Sequence, residues 1–182
     1  MTDMGLSKLT LDPQDADDAL AQLALAYDLD PDDLNVIVSL GVAYEELNMF
    51  EESDLLHEKA IQKFPDEALL LNNYSYSLGE RGVHLEHALE MAKKAVTMDP
   101  ENGAFLDTIG WIYYQLGDYE KARDYILKAI SKREDSSVVI EHLGDVYFKL
   151  GNIEKAKEYW NQALQKDPDN RELKQKISSN EI

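Results

Sequence analysis

One column of small residues sets the terms for this chain. Ala26, Ala60, Ala95, Ala129 and Ala163 recur at steps of 34, 35, 34 and 34 residues. Pro31, Pro65, Pro100 and Pro168 keep the same frame, with Glu134 standing in the proline column. Gly41, Ser75, Gly110 and Gly144 keep it again, as do Tyr44, Leu78, Tyr113 and Tyr147. Four columns in one register define a repeat chain. Each unit of such a chain is one supersecondary element that buries its apolar face only against its neighbours.

The clearest unit runs from Asn102 to Ser136. Leu106, Ile109 and Tyr113 share one face of a first helix, and Tyr119, Ala122, Ile126, Ala129 and Ile130 share one face of a second. Gly117-Asp118 between them reads as a helix stop followed by a capping residue. The register then predicts units 34–67, 68–102, 103–136 and 137–170 in a single domain spanning 1–182. A half unit at 13–33 precedes them. A capping helix and tail over 171–182 follow, with Leu173 and Ile177 on the helix's apolar face. The fold class is all-α, an α-solenoid of antiparallel helix pairs with about four and a half repeats. Gly or Ser in the first helix and Ala in the second let the two approach closely, and proline ends the second. Unit two carries one extra residue in its Val83–His87 turn. The helix of the half unit, with Pro13 near a first turn rich in Asp15, Asp17 and Asp18, has a stripe of Ala16, Ala19, Leu20, Leu23, Ala26 and Tyr27.

Charge narrows the partners. The chain has 36 acidic and 18 basic residues, a formal net charge of −18. Residues 1–67 carry −14 of it. Such a field repels nucleic-acid phosphates and anionic lipid, and favours basic or neutral partners. The bland reading of the acids is a solvated face that keeps an open array soluble; the sharper one is a surface that recruits a basic segment. With no cysteine there is no disulfide, thiolate metal site or cysteine nucleophile. The first residues show neither a basic n-region nor an apolar run, and no stretch is long enough to span a bilayer.

The period, with LGVAYEEL (40–47), IGWIYYQLG (109–117), LGDVYFKLG (143–151), EKARDYILKAI (120–130) and EKAKEYWNQALQKDP (154–168), resembles the tetratricopeptide repeat. The match covers about 13–170, with departures at Tyr74-Ser75 and at the missing proline of unit three. The resemblance implies a right-handed superhelix with a concave groove, and binding of protein or peptide along it. NNYSYSLGERG (72–82) and the units after it are similar to the C-terminal arrays of bacterial tetratricopeptide proteins, many of them envelope lipoproteins. That leaves a cytoplasmic or a periplasmic setting open. One subset of the family grips chaperone C-terminal carboxylates with Lys, Asn and Arg. The matching positions here are Val38, Val42, Asn73, Ala104 and Thr108, and only Asn73 fits, so this clamp is disfavoured.

Helical spacing places the groove stripe on Asn72 and Tyr76; Asp107, Trp111 and Tyr114; and Glu141, Asp145 and Phe148. Aromatic residues supply contact area and the carboxylates pair Lys or Arg of a ligand, which suits an extended apolar and basic segment. The alternative is that Trp111 and Tyr114 pack against adjacent helices. Trp160 reads as core and His57 as a partly buried packing residue. His84 and His87 read as turn residues rather than metal ligands, and His142 as a helix-surface residue. No nucleophile triad, phosphate loop or metalloprotease motif appears, so no cofactor, metal or catalytic residue is expected. The leading reading is a non-catalytic adaptor. The alternatives are a dedicated chaperone for an exported partner and a self-associating scaffold, including a homodimer through the incomplete N-terminal unit.

Overall fold

Helix starts are written into the turns. The computed structural model describes residues 13–132 and 136–179, with side chains from residue 18 onward. Among them the regular structure is helical: α1 (Pro13–Leu29), α2 (Leu34–Glu46), α3 (Phe50–Lys63), α4 (Ala68–Arg81), α5 (Leu85–Met98), α6 (Gly103–Gln115), α7 (Tyr119–Lys132), α8 (Ser137–Lys149), α9 (Ile153–Lys166) and α10 (Arg171–Ser179). Short polar side chains cap the orphan amides of the first turns. Asp33 Oδ1 accepts from Asn35 N at 2.8 Å, Asn102 Oδ1 from Ala104 N at 3.0 Å, and Asp118 Oδ1 from Lys121 N at 3.2 Å. Within each pair the chain reverses through one left-handed residue: Asn48, Gly82, Gly117 or Gly151. In unit two this residue is followed by both Val83 and His84 before α5 begins, and His84 takes a second positive φ of 48°. The extra residue is absorbed in the turn. Glu134 lies outside the described residues.

Each second helix packs on its own first helix and on the first helix of the next unit, while first helices also touch their counterparts in neighbouring units. The stack therefore curves with α2, α4, α6 and α8 on its inner side. The small-residue column is what closes each pair. A Cβ on Gly110 would stand 2.6 Å from Ile126 Cγ1, and one on Gly41 2.5 Å from His57 Cε1. Ala60, Ala95, Ala129 and Ala163 are all buried.

The apolar interior has two parts. The larger is continuous from α4 to α10 and includes Leu78, Ile109, Ile126, Leu143, Trp160 and Leu173. The smaller joins α1–α3 through Ile37, Leu40, Leu56 and Ala60, with Leu70 of α4 closing it. Polar contacts tie the seam between α2–α3 and α4. Glu45 Oε1 accepts from Ser53 and from Ser77, each at 2.6 Å. Arg81 grips Asp54 through both terminal nitrogens, at 2.5 and 3.2 Å, and lies over the Phe50 ring.

Candidate functional site

The inner side is built from one stripe of each first helix, and its centre is an aromatic stack. Trp111 of α6 lies between Tyr114, with centroids 4.6 Å apart and planes 7° apart, and His142 of α8, at 4.2 Å and 16°. Both faces of the indole are thus covered from within the protein. His142 is itself buried, which corrects the expectation of a helix-surface residue. Its Nδ1 stands 3.0 and 3.1 Å from the two carboxylate oxygens of Asp107, also buried. Burial works to lower the His142 pKa. The Asp107 carboxylate overrides it, with Glu80 and Asp145 adding to the field, and holds the ring up at about 9. The imidazole is therefore charged at neutral pH, stacked on an indole face.

One turn along α8 the next carboxylates are engaged as well. Asp145, 2% exposed, accepts from Trp160 Nε1 at 2.7 Å and from Lys176 Nζ at 2.8 Å. Lys176, on α10, also donates to Glu141 Oε1 at 2.7 Å. Asn170 joins Glu141 from the turn before α10. Trp160 is core, as the sequence implies, and is fully buried.

Of the residues expected on the groove, Asn72, Asp107, Tyr114 and Asp145 are buried, while Tyr76, Trp111, Glu141 and Phe148 are half-buried. Asp107, Glu141 and Asp145, expected to offer carboxylates to a ligand, are bound by His142 and Lys176. Phe148 leans on Trp160 at 5.7 Å. Tyr76 faces the acids: burial first, then the charges of Glu80, Asp107 and Glu141, push its hydroxyl well above the ordinary phenol range. Among the described residues, two buried polar side-chain atoms lack any partner, Asn72 Oδ1 and Trp111 Nε1, and both belong to this stripe. His57 is buried beneath Gly41, and His84 and His87 are exposed.

Sequence reasoning missed His142 and Lys176 as the residues that organise the inner face. The signal was present. His142 follows Asp107 by 35 residues and Lys176 follows Glu141 by 35, so the repeat places a base opposite an acid of the preceding first helix twice over.

Comparison with known proteins agrees with this geometry. The family model described as tetratricopeptide repeat matches residues 103–136 and 139–170. A TPR repeat-containing protein of Pseudomonas aeruginosa is 31% identical over 96 residues, 53% of this chain and 16% of that one. The BBSome complex member BBS4 of Bos taurus is 33% identical over 100 residues, 54% of this chain and 18% of that one. The chain thus spans less than a fifth of the length of these curated relatives. Among solved structures, a thermophilic TPR protein of Thermus thermophilus superposes with a TM-score of 0.76 at 20% identity, covering 90% of this chain and 89% of that one. The pilF protein of Pseudomonas aeruginosa gives 0.70 at 22% identity, covering 88% and 72%. The chain is thus similar to tetratricopeptide-repeat proteins in sequence over its last two full units and in fold over nine-tenths of its length.

Proposed function

We propose that the chain is a non-catalytic adaptor whose inner face binds an extended, apolar and basic segment of another protein. The observation that carries this reading is the pair of unpartnered polar atoms in one stripe, the acceptor Asn72 Oδ1 and the donor Trp111 Nε1. A buried polar group without a partner costs about 1–3 kcal/mol, and native proteins keep few of them. A strand-like segment carries both complements, an N–H for the one and a C=O for the other. Tyr76 and Phe148 offer half-buried aromatic area on either side. The acids around the Tyr76 hydroxyl, Glu80, Asp107 and Glu141, make the local potential negative despite their internal partners, so Lys or Arg of the segment is favoured. Because Trp111 is covered on both faces, the ligand meets its edge and does not stack on it.

The test is a random peptide library displayed on phage and selected against the wild-type chain. Enriched sequences should be extended, with apolar and basic residues alternating. Their affinity, read by fluorescence anisotropy, should fall at least tenfold in the Tyr76→Ala, Phe148→Ala double variant. Selected peptides that bind this variant as tightly as wild type place the binding surface elsewhere and sink the reading.

A further inference from the structure

The seam between units one and two carries a cleft on its outer side. A cavity of about 240 Å³ opens between α3 and α5, lined by Glu58, Ile61 and Gln62 of α3, Tyr74 of α4 and His87 of α5. Tyr74, 3% exposed, forms its floor. Ile61 is half-buried on the wall, and Glu58, Gln62 and His87 are exposed at the mouth. The cleft faces away from the inner stripe.

Three of these residues depart from what the other units place there. Tyr74 precedes Ser75 as Leu40, Ile109 and Leu143 precede Gly41, Gly110 and Gly144, so one phenol shares a buried position with three aliphatic side chains. His87 precedes Ala88, where Lys121 and Lys155 precede Ala122 and Ala156. Those lysines lie over the tyrosines of their own first helices, Nζ 5.1 Å from the Tyr113 ring and 4.8 Å from that of Tyr147. Unit two has Leu78 in that column and no ring to cover. Glu58 stands two residues before Ala60, where Lys93 and Leu127 stand before Ala95 and Ala129. The same two places therefore carry Lys93 and Lys121 at the next seam, and Leu127 and Lys155 at the one after. Here they carry Glu58 and His87, and the fixed charge is negative.

The acceptors are available. Asp54, one turn back on α3, is taken up by Arg81, whereas no ion pair among the described residues engages Glu58. Burial first, then the charges of Asp54 and Glu58, push the Tyr74 hydroxyl well above the ordinary phenol range, so it stays neutral with an oxygen that accepts. Gln62 adds an amide oxygen at the mouth.

Size and charge name the occupant. Small-molecule sites run to about 300–1,000 Å³, so this cavity suits a single side chain. A cation complements Glu58. A guanidinium does so with a planar fork of donors that reaches carboxylate, hydroxyl and amide oxygens together, and it sheds water more readily than an ammonium. Its methylene stem has Ile61 to lie along. We infer that the outer cleft between α3 and α5 takes an arginine side chain of a partner protein, with the guanidinium held by Glu58 and Tyr74.

The test is an NMR titration of the full chain with a capped tripeptide, acetyl-Gly-Arg-Gly-amide. It is read at the Ile61 methyls, the Gln62 side-chain amide and the His87 ring, which should shift saturably at millimolar peptide. Glu58→Gln should weaken binding at least fivefold, and Tyr74→Phe, which keeps the ring stacked on His57, at least twofold. His87→Lys, which restores the cation of the later units, should abolish it. Peptides with citrulline (the same shape without the charge) or lysine in place of arginine should bind more weakly. The absence of a saturable shift at tens of millimolar peptide overturns the inference. So do shifts that survive Glu58→Gln and His87→Lys unchanged, or a citrulline or lysine peptide that binds as tightly. Shifts confined to Tyr76 and Trp111 overturn it as well, since they place the arginine on the inner face.

Discussion

His142 Nδ1 stands 3.0 Å from Oδ1 of Asp107, across the seam between α6 and α8, with both side chains buried. The ring is held charged up to about pH 9, against an ordinary 6.5. A histidine raised on folding contributes stability that is fully present below 6.5 and lost as pH rises through about 9. At full extent the effect is on the order of 3 kcal/mol. Chemical denaturation midpoints should therefore fall between neutral pH and about pH 10, and fall less in His142→Gln. An NMR titration that finds the ring neutral at pH 7.5 would contradict the ion pair.

His57 carries the opposite sign. It stacks on Tyr74 with centroids 5.0 Å apart and planes 4° apart, and its Nδ1 lies 2.9 Å from the Ser53 carbonyl oxygen, the acceptor of its N–H. Burial lowers its pKa, and the nearby carboxylates of Glu45 and Asp54 only partly oppose this. Its contribution is present above 6.5 and is lost as pH falls below that value. Stability should decline in wild type as pH falls below about 6.5 and decline less in His57→Leu. The comparison matters because acidification also relieves the self-repulsion of a chain at −18.

The close approach in unit four makes a sharper prediction for packing. A Cβ at position 144 would lie 2.5 Å from Trp160 Nε1, inside a fully buried indole that is also bonded to Asp145. Gly144→Ala should destabilise by about 1–3 kcal/mol through overpacking and shift the Trp160 fluorescence. A melt within error of wild type would contradict the assigned register.

Periodicity made the fold readable because a 34-residue column constrains every unit alike, and the close approach at Gly110 follows from spacing alone. The inner face was less readable. On a first helix, Asp107 and Trp111 lie between the core stripe and open solvent, where one side chain can serve a ligand or bind the next unit. For Asp107 and Glu141 the outcome depends on the residue 35 positions on, the bases His142 and Lys176, and helical-wheel reasoning within a single unit does not reach that far. His142 reads as surface for the same reason: its partner is on another helix.

Lys176 should matter more than a terminal-helix lysine ordinarily does. It is half-buried and bonded to Asp145 and Glu141, and burial, which lowers a lysine's pKa, is outweighed by those two carboxylates. Removing one member of a buried pair leaves the other charge uncompensated, at a cost of about 3–5 kcal/mol. Lys176→Met should approach that range and free α10 to fray, seen as faster amide exchange at Leu173. Adding Asp145→Asn to it should restore part of the loss, because the neutral amide oxygen still accepts from Trp160. Exposed Lys174→Met, two residues away, should change the melting temperature little.

The seam between α2–α3 and α4 is where the stack should open first. The core on its N-terminal side is small, and α1 leaves part of it uncovered. Across the seam the apolar contribution rests on Leu70, Ile61 and the stack of His57 on Tyr74, with Glu45, Ser77, Asp54 and Arg81 supplying polar contacts. Polar contacts of this kind contribute less net free energy than the apolar area that joins α4 through α9. Hydrogen exchange should then show α2 and α3 opening as a unit at lower free energy than α6 and α8. Ser77→Ala, which removes one of two hydroxyl donors to Glu45, should lower the α2–α3 protection by about 1 kcal/mol and leave α6–α8 unchanged. Equal protection along the whole array would show instead that the two cores unfold together, and that the polar seam couples them as tightly as an apolar one.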